Sequence, residues 1–327
     1  MSIENIIFYA IQFGTALLFG ATGEIITEKS GNLNLGIPGI MYGGAIGGVI
    51  GGFIYQSAGN PVPAVSIMIC IISSCIGSLL MSLIYCVLTI TLRANQNVTG
   101  LALTIFGNGL ANYLGSTLVK RVGGETATTL NITETSNFFS AKLPIAENLG
   151  WFGKIFLSYS FMTYLAVAIA IVAAIILKRT RVGLQLRAVG ESPATADAAG
   201  ISVTKYKYFA TCIGGMIAGL GGLYHALVYI GTWTSDIIGD CGWLAIAIVI
   251  FTVWKPDLCI PGSYLFGGLY ILYDHLKLPF MTGTFRPIIK MLPYVVTIIV
   301  LIIVSFRKKR ETLPPASLGL PYFREER

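Results

Sequence analysis

Long apolar stretches alternate with short polar runs along most of the chain. Nine such stretches stand out: about Asn5–Ile26, Gly39–Tyr55, Ala64–Leu92, Val98–Val119, Ile155–Leu177, Tyr208–Ile230, Gly242–Trp254, Ile260–Leu276 and Ile288–Phe306. Several reach the ~20 apolar residues that a helix needs to cross a bilayer. The short alternating segments of an outer-membrane barrel are absent. The pattern predicts an all-α fold, a polytopic membrane helix bundle of about nine transmembrane helices with broken or re-entrant segments. A re-entrant piece would shift the count to eight or ten. The second stretch carries Gly43/Gly47/Gly51 and Gly44/Gly48/Gly52, two sets at i,i+4 spacing. Such faces let helices approach closely in lipid. Pro38, flanked by Gly36 and Gly39, predicts a broken or bent start to that helix. Gly242–Trp254 has only 13 residues, short for a full crossing.

The polar intervals are as informative. Residues 178–207 form a long interruption with a short helix written inside it. Ser192 is a candidate N-cap and Pro193 suits the first helical position. Ala194 to Ala199 can continue the helix, and Gly200 supplies a left-handed stop. About two turns cannot hold alone in water, where isolated helices need roughly 12–15 residues. The faces Ala194/Ala198 and Thr195/Ala199 carry little bulk, so another protein could approach the backbone. Two readings stand: a coupling helix that fits a partner's cleft, or a capped surface turn. If this loop is cytoplasmic, alternation places Lys29, Arg93, Lys255 and Arg307–Arg310 inside as well, with the N-terminus outside. Residues 120–154 then form an external loop, with Trp151 and Phe152 as interfacial anchors. Residues 1–310 make the membrane body and 311–327 a cytoplasmic tail. Gly231–Asp240 reads as a polar turn.

Composition agrees with this picture. The chain is 54% hydrophobic and 11% charged, with a mean hydropathy of +0.75, against about 25% charged residues in soluble proteins. The net charge of +7 reflects basic cytoplasmic loops and gives no ground for nucleic-acid binding. The first apolar stretch follows Glu4, with no basic patch and no cleavage site, and reads as a retained helix. Cys70, Cys75, Cys86, Cys212, Cys241 and Cys259 lie in or beside apolar segments without a CxxC pair, and read as small core residues. His225 and His275 read as hydrogen-bonded helix-end residues. No metal or cofactor is implied.

No GxxxxGK[ST], GxSxG or HExxH motif is present, so the chain reads as a non-enzyme without an ATPase site of its own. Glu24, Asp274 and His275 sit near segment ends. The expected lack of buried acids argues against a proton-coupled carrier, though sodium coupling through backbone carbonyls stays open. The membrane part does hold neutral polar residues: Asn32, Asn34, Gln96, Asn97, Thr104, Asn108 and Asn112. They suit a wet pathway for a neutral, hydrogen-bonding solute. Singly, each could equally bond a neighbouring helix.

Four stretches resemble one family. TRVGLQLRAVGESPATADAAGI (Thr180–Ile201) is similar to the cytoplasmic coupling segment of ABC importer permeases, closest to the group carrying branched-chain amino acids, simple sugars and nucleosides. EKSGNLNLGIPGIM (Glu28–Met41) resembles that group's N-terminal signature, which often has Glu where this chain has Pro38. GWLAIAIVIFTVWKP (Gly242–Pro256) resembles its late segment. PPASLGLPY (Pro314–Tyr322) is similar to the nucleoside-type permeases. The resemblance implies a multi-pass subunit of the bacterial cytoplasmic (inner) membrane. It implies two ABC ATPase subunits, a second and often non-identical permease, surrounding lipid, and a lipoprotein or periplasmic binding protein that delivers solute. ATPase coupling would fall to Arg187, Gly190, Glu191, Ser192, Pro193, Ala194, Ala198 and Gly200. Cargo would be a nucleoside, with simple sugars or branched-chain amino acids as alternatives. An ion-coupled secondary carrier is the reading from another class, and a membrane enzyme the most distant.

Overall fold

The computed structural model describes residues 3–141, 153, 157–275, 291–307 and 313–323. Among them the fold is helical: α1 (Ile3–Glu28), α2 (Ile37–Ser57), α3 (Pro63–Cys86), α4 (Gln96–Gly123), α5 (Thr133–Ser140), α6 (Phe161–Arg179), α7 (Arg181–Glu191), α8 (Pro193–Ala198), α9 (Val203–Tyr224), α10 (Cys241–Phe251), α11 (Pro256–His275) and α12 (Leu292–Arg307). Two π-helical turns extend α3 through Val87–Thr91 and α9 through His225–Ile230. Each apolar stretch predicted above coincides with one of these helices. Five are long and apolar enough to cross a membrane: α1, α2, α3, α6 and α9, with α3 and α9 taken through their π turns. Trp151, Phe152, Lys154 and Lys308–Arg310 lie outside the described residues, as does the His275 side chain.

Helices α1, α2 and α9 are the enclosed ones, while α3 and α6 leave most of their residues on the outside. The two glycine sets explain why α2 sits at the centre. A Cβ at Gly47 would lie 2.6 Å from Ser73 O on α3, and one at Gly77 would lie 2.4 Å from Gly43 O. On the adjacent face, a Cβ at Gly44 would lie 2.4 Å from Gly219 O on α9. The first set faces α3 throughout, while in the second Gly44 and Gly48 meet α9 and Gly52 meets Cys70 of α3 and Thr135 of α5. Helix α1 packs against α9 and α11 in turn. Cys70, Cys86, Cys241 and Cys259 are buried among these contacts, and Cys75 and Cys212 are half-buried.

Three expectations need correction. Residues 178–207 are not a loop holding one short helix. They contain two, α7 and α8, with α6 ending and α9 beginning inside the interval. Gly231–Asp240 is a turn, but not a wholly polar, outward one, since Trp233, Ile237 and Ile238 are 1%, 4% and 1% exposed. The run folds inward, with Trp233 against Gly115 of α4 and a backbone bridge to Leu130. Helix α10 starts from its inner end, where Gly242 meets Pro38. With 11 residues, it rises about 16 Å, roughly half a bilayer core. Finally, the bundle does bury acids. Glu24 and Glu28 are buried, at 0% and 3% exposed, one helical turn apart on α1. The Glu28 carboxylate accepts from Trp254 Nε1.

Candidate functional site

The residues singled out in the sequence gather at two places. The first is the end of the bundle that carries α7 and α8. Helix α8 is closed by a Schellman motif: Gly200 N–H donates to Asp197 O and Ile201 N–H to Ala196 O, both at 3.0 Å, with Gly200 at φ +81°. Glycine holds that conformation most readily, and asparagine next. At the other end the expected cap is absent. Ser192 occupies the cap position, but its hydroxyl pairs with Thr195 Oγ1 at 2.8 Å instead of a backbone N–H. Ala196 packs inward on Val189 and Val203. Ala194, Thr195, Ala198 and Ala199 stay exposed, as do Arg187 and Glu191 on α7. The result is a small-residue knob on a short arm, pinned from one side only. A helix of this length needs such docking to persist.

What pins the arm is a three-way junction. Gly190 of α7 lies so close to the 29–31 turn that a Cβ there would sit 2.3 Å from Lys29 O. Ser317, from the segment after α12, donates its N–H and its hydroxyl to Gly190 O at 3.0 and 2.5 Å. Tyr322 hydroxyl donates to Asp197 Oδ2 at 2.9 Å. Residues 313–323 thus run as a strap across the arm rather than as a free tail. Burial pushes the Lys29 ammonium below its ordinary value, Glu191 acts against that, and Arg187 and Lys255 add to it. Of the basic positions named from the sequence, Lys29 and Lys255 therefore lie near each other and near Arg187. Removing one buried hydroxyl hydrogen bond costs about 1 kcal/mol. Ser317→Ala is therefore expected to lower the detergent melting temperature by a few degrees and to speed cleavage of the strap by added protease.

The polar residues proposed for a pathway divide. Asn32, Asn34, Gln96 and Thr104 hold the buried 32–36 segment that precedes α2. Leu33 N–H donates to Gln96 Oε1 (2.6 Å), Gln96 Nε2 to Leu320 O (3.5 Å) and Thr104 Oγ1 to Leu35 O (2.9 Å). Asn34 N–H donates to Glu24 Oε1 (3.2 Å), Asn34 Oδ1 accepts from Gly36 N–H (2.9 Å) and Asn32 Nδ2 donates to Thr211 Oγ1 (3.1 Å). Tyr85 hydroxyl donates to Leu33 O. This irregular backbone is enclosed by protein, and its polar groups are met by these side chains. Asn97 stands apart from the group and is exposed.

Asn108 belongs to the second place. Asn112 Nδ2 donates to Asn108 Oδ1 at 2.7 Å and to Asp236 Oδ1 at 2.9 Å, and Asp236 N–H returns a bond to Asn112 Oδ1 at 3.0 Å. Asp236 sits at φ +55°, a conformation to which aspartate is better suited than most residues. Its side chain is exposed, together with Ser235, Gly239 and Asp240. Asn108 and Asn112 lie near the middle of α4. An open carboxylate is thus carried to the helix's mid-length by the inward run 231–240. Sequence reading missed Asp236 because it took that run for a wholly polar turn; the signal available was the short, strongly apolar segment directly after it.

A family model described as "Branched-chain amino acid transport system / permease component" matches residues 5–305. The chain belongs to this permease family. The permease is 31% identical over 309 residues to a nucleoside ABC transporter permease of Lactococcus lactis, covering 92% of each chain. It is 30% identical to a guanosine ABC transporter permease of Bacillus subtilis, over 97% of this chain and 96% of the other. A putative glucose ABC transporter permease of Haloferax volcanii is 31% identical over 96% of each. The permease therefore belongs to a family of multi-pass membrane components of transport systems. Its exposed arm and its open polar face are two distinct surfaces of one bundle.

Proposed function

We propose that this permease is the membrane subunit of an ATP-driven importer for nucleosides in the bacterial cytoplasmic membrane. Residues 1–310 serve as the membrane body. The α7–α8 arm, through Arg187, Gly190, Glu191, Ser192, Pro193, Ala194, Ala198 and Gly200, engages an ATPase subunit that hydrolyses ATP. A second, non-identical permease faces the first, and a binding lipoprotein or periplasmic protein delivers solute from outside. The observation that carries the cargo reading is the Asn108–Asn112–Asp236 group. It offers the Asp236 carboxylate as acceptor and the Asn108 amide as donor, at the mid-length of α4 on an open face. That inventory suits vicinal ribose hydroxyls and base edges. Two relatives that bear nucleoside and guanosine names support the same choice. The relative named for glucose favours a second reading, since a hexose also presents vicinal hydroxyls.

Uptake by the assembled transporter tests both. Radiolabelled guanosine or uridine should accumulate only with ATP, and excess glucose should not compete. Asp236→Asn and Asn112→Leu each remove bonds to a charged partner, and should lower uptake about tenfold or more with assembly intact. Competition by glucose alone would move the assignment to sugars. Uptake that an ion gradient drives without ATP would overturn the importer reading.

A further inference from the structure

We propose that the cleft between the first turn of α9, the π turn ending α3 and the strap is a binding site for a phosphate group. The group would come from a soluble phosphate compound or from an anionic lipid headgroup. The cleft has a volume of about 210 Å³ and is lined by Thr89, Arg93, Asp197, Thr204, Lys207 and Tyr322, among others.

Lys207 is the decisive residue. Its side chain is 3% exposed, yet among the described residues it makes no hydrogen bond and no ion pair; Lys178–Asp257 is the ion pair found there. Its stem is packed in protein while its ammonium is left unpaired at the cleft, an arrangement that an anion stabilises. The ammonium opens into the cleft, so a bound anion would satisfy it. Three further features converge on the same space. Arg93 is held at φ +57°, with its guanidinium 4.7 Å above the Phe323 ring; stacking engages the face of the group and leaves its N–H edge free. Ser202 caps α9 without a side-chain hydrogen bond, so the N–H groups of the first turn stay open to an acceptor. Thr204 adds a hydroxyl to the wall, while Thr89 donates its own to Tyr85 O at 2.8 Å. Asp197 is the one carboxylate in the lining, and it is engaged by Tyr322. Two cations, a helix N-terminus and the Thr204 hydroxyl match a compact oxyanion with several acceptors.

The position gives the site a consequence. Pro321 and Tyr322 of the strap form one wall and Asp197 of α8 another. A phosphate bridging Lys207 and Arg93 would fix the strap against the start of α9, directly beside the exposed knob. The arm would become stiffer when the cleft is filled. Phosphate binding here is independent of which solute the permease carries, and its test does not use transport.

The test uses the full chain, purified in mild detergent. Inorganic phosphate is titrated against chloride at matched ionic strength, with thermal unfolding and phosphorus NMR line width as readouts. Saturating phosphate should raise the melting temperature by roughly 3 °C and broaden the phosphorus signal. Lys207→Met and Arg93→Gln should each lose the increment, and Lys207→Arg should keep most of it. Arg93 is exposed, so its variant carries the test even if Lys207→Met fails to fold. In a second arm, nanodiscs of phosphatidylcholine are compared with discs containing phosphatidylglycerol. Equal phosphate binding in both assigns a soluble source. Protection by the anionic lipid, with loss of free phosphate binding, assigns the headgroup. A phosphate effect that persists in Arg93→Gln and Lys207→Met, or no effect of phosphate and no effect of lipid, overturns the proposal.

Discussion

Adding one methyl group at Gly190 is expected to unseat the α7–α8 arm. The new Cβ would lie 2.3 Å from Lys29 O and 3.3 Å from Gly31 N. Both are backbone atoms, so no side chain can swing aside. Gly190 O also receives the two bonds from Ser317, and any shift of α7 breaks them. Overpacking of this kind costs about 1–3 kcal/mol, or roughly five- to 150-fold in the docked population. Gly190→Ala should therefore speed tryptic cleavage at Arg187 about fivefold or more and reduce uptake by a similar factor. Gly200 provides the contrast. Nothing lies within 4 Å of a Cβ there, so only the left-handed backbone resists substitution. Gly200→Asn should be nearly neutral, and Gly200→Val should cost about 1–2 kcal/mol. Arm accessibility unchanged in Gly190→Ala would mean that the arm does not rest on the 29–31 turn.

The second large effect is expected at the centre of the bundle. In Gly44→Val, the branched side chain would begin 2.4 Å from Gly219 Cα and O. Helices α2 and α9 would have to separate along a seam where Gly222 likewise presses on Met41 O, at 2.0 Å from its would-be Cβ. With a cost of about 3 kcal/mol, the melting temperature in detergent should fall by roughly 6–12 °C, or monodisperse protein should be lost. Gly109 on α4 meets nothing within 4 Å. Gly109→Ala should be neutral or stabilising, since alanine favours a helix by about 0.5–1 kcal/mol. Equal melting temperatures for the two variants would remove close backbone packing as the basis of the core.

Much of this architecture is written locally. Apolar runs place the helices because a bilayer imposes a length. The glycine ladders of α2 announce close packing because only hydrogen fits between two backbones. Gly200 marks the end of α8 because the left-handed turn is a property of one residue. What stayed hidden depends on distant parts of the chain. Asp236 looks like a residue in a polar turn until Trp233, Ile237 and Ile238 are seen to draw it inward. Glu24 and Glu28 look like helix-end acids until Trp254 and Asn34 are found beside them. Asn32 and Asn34 read as pathway groups in the sequence, and the bonds that Asn32 makes to Thr211 and Asn34 to Gly36 N–H join residues that no local pattern connects. Ser192 satisfies every local rule for a cap, and a competing hydroxyl at Thr195 takes its hydrogen bond.

The strap also orders events in time. Ser317 leaves the ribosome only after α12, while its acceptor on Gly190 has been exposed since the middle of synthesis. During that interval the chain can insert its helices but cannot finish the seat of the arm. A product stopped short of Ser317 would enter the bilayer with an unlatched arm and a vacant acceptor. The latch thus reports that translation has passed the last of the described helices.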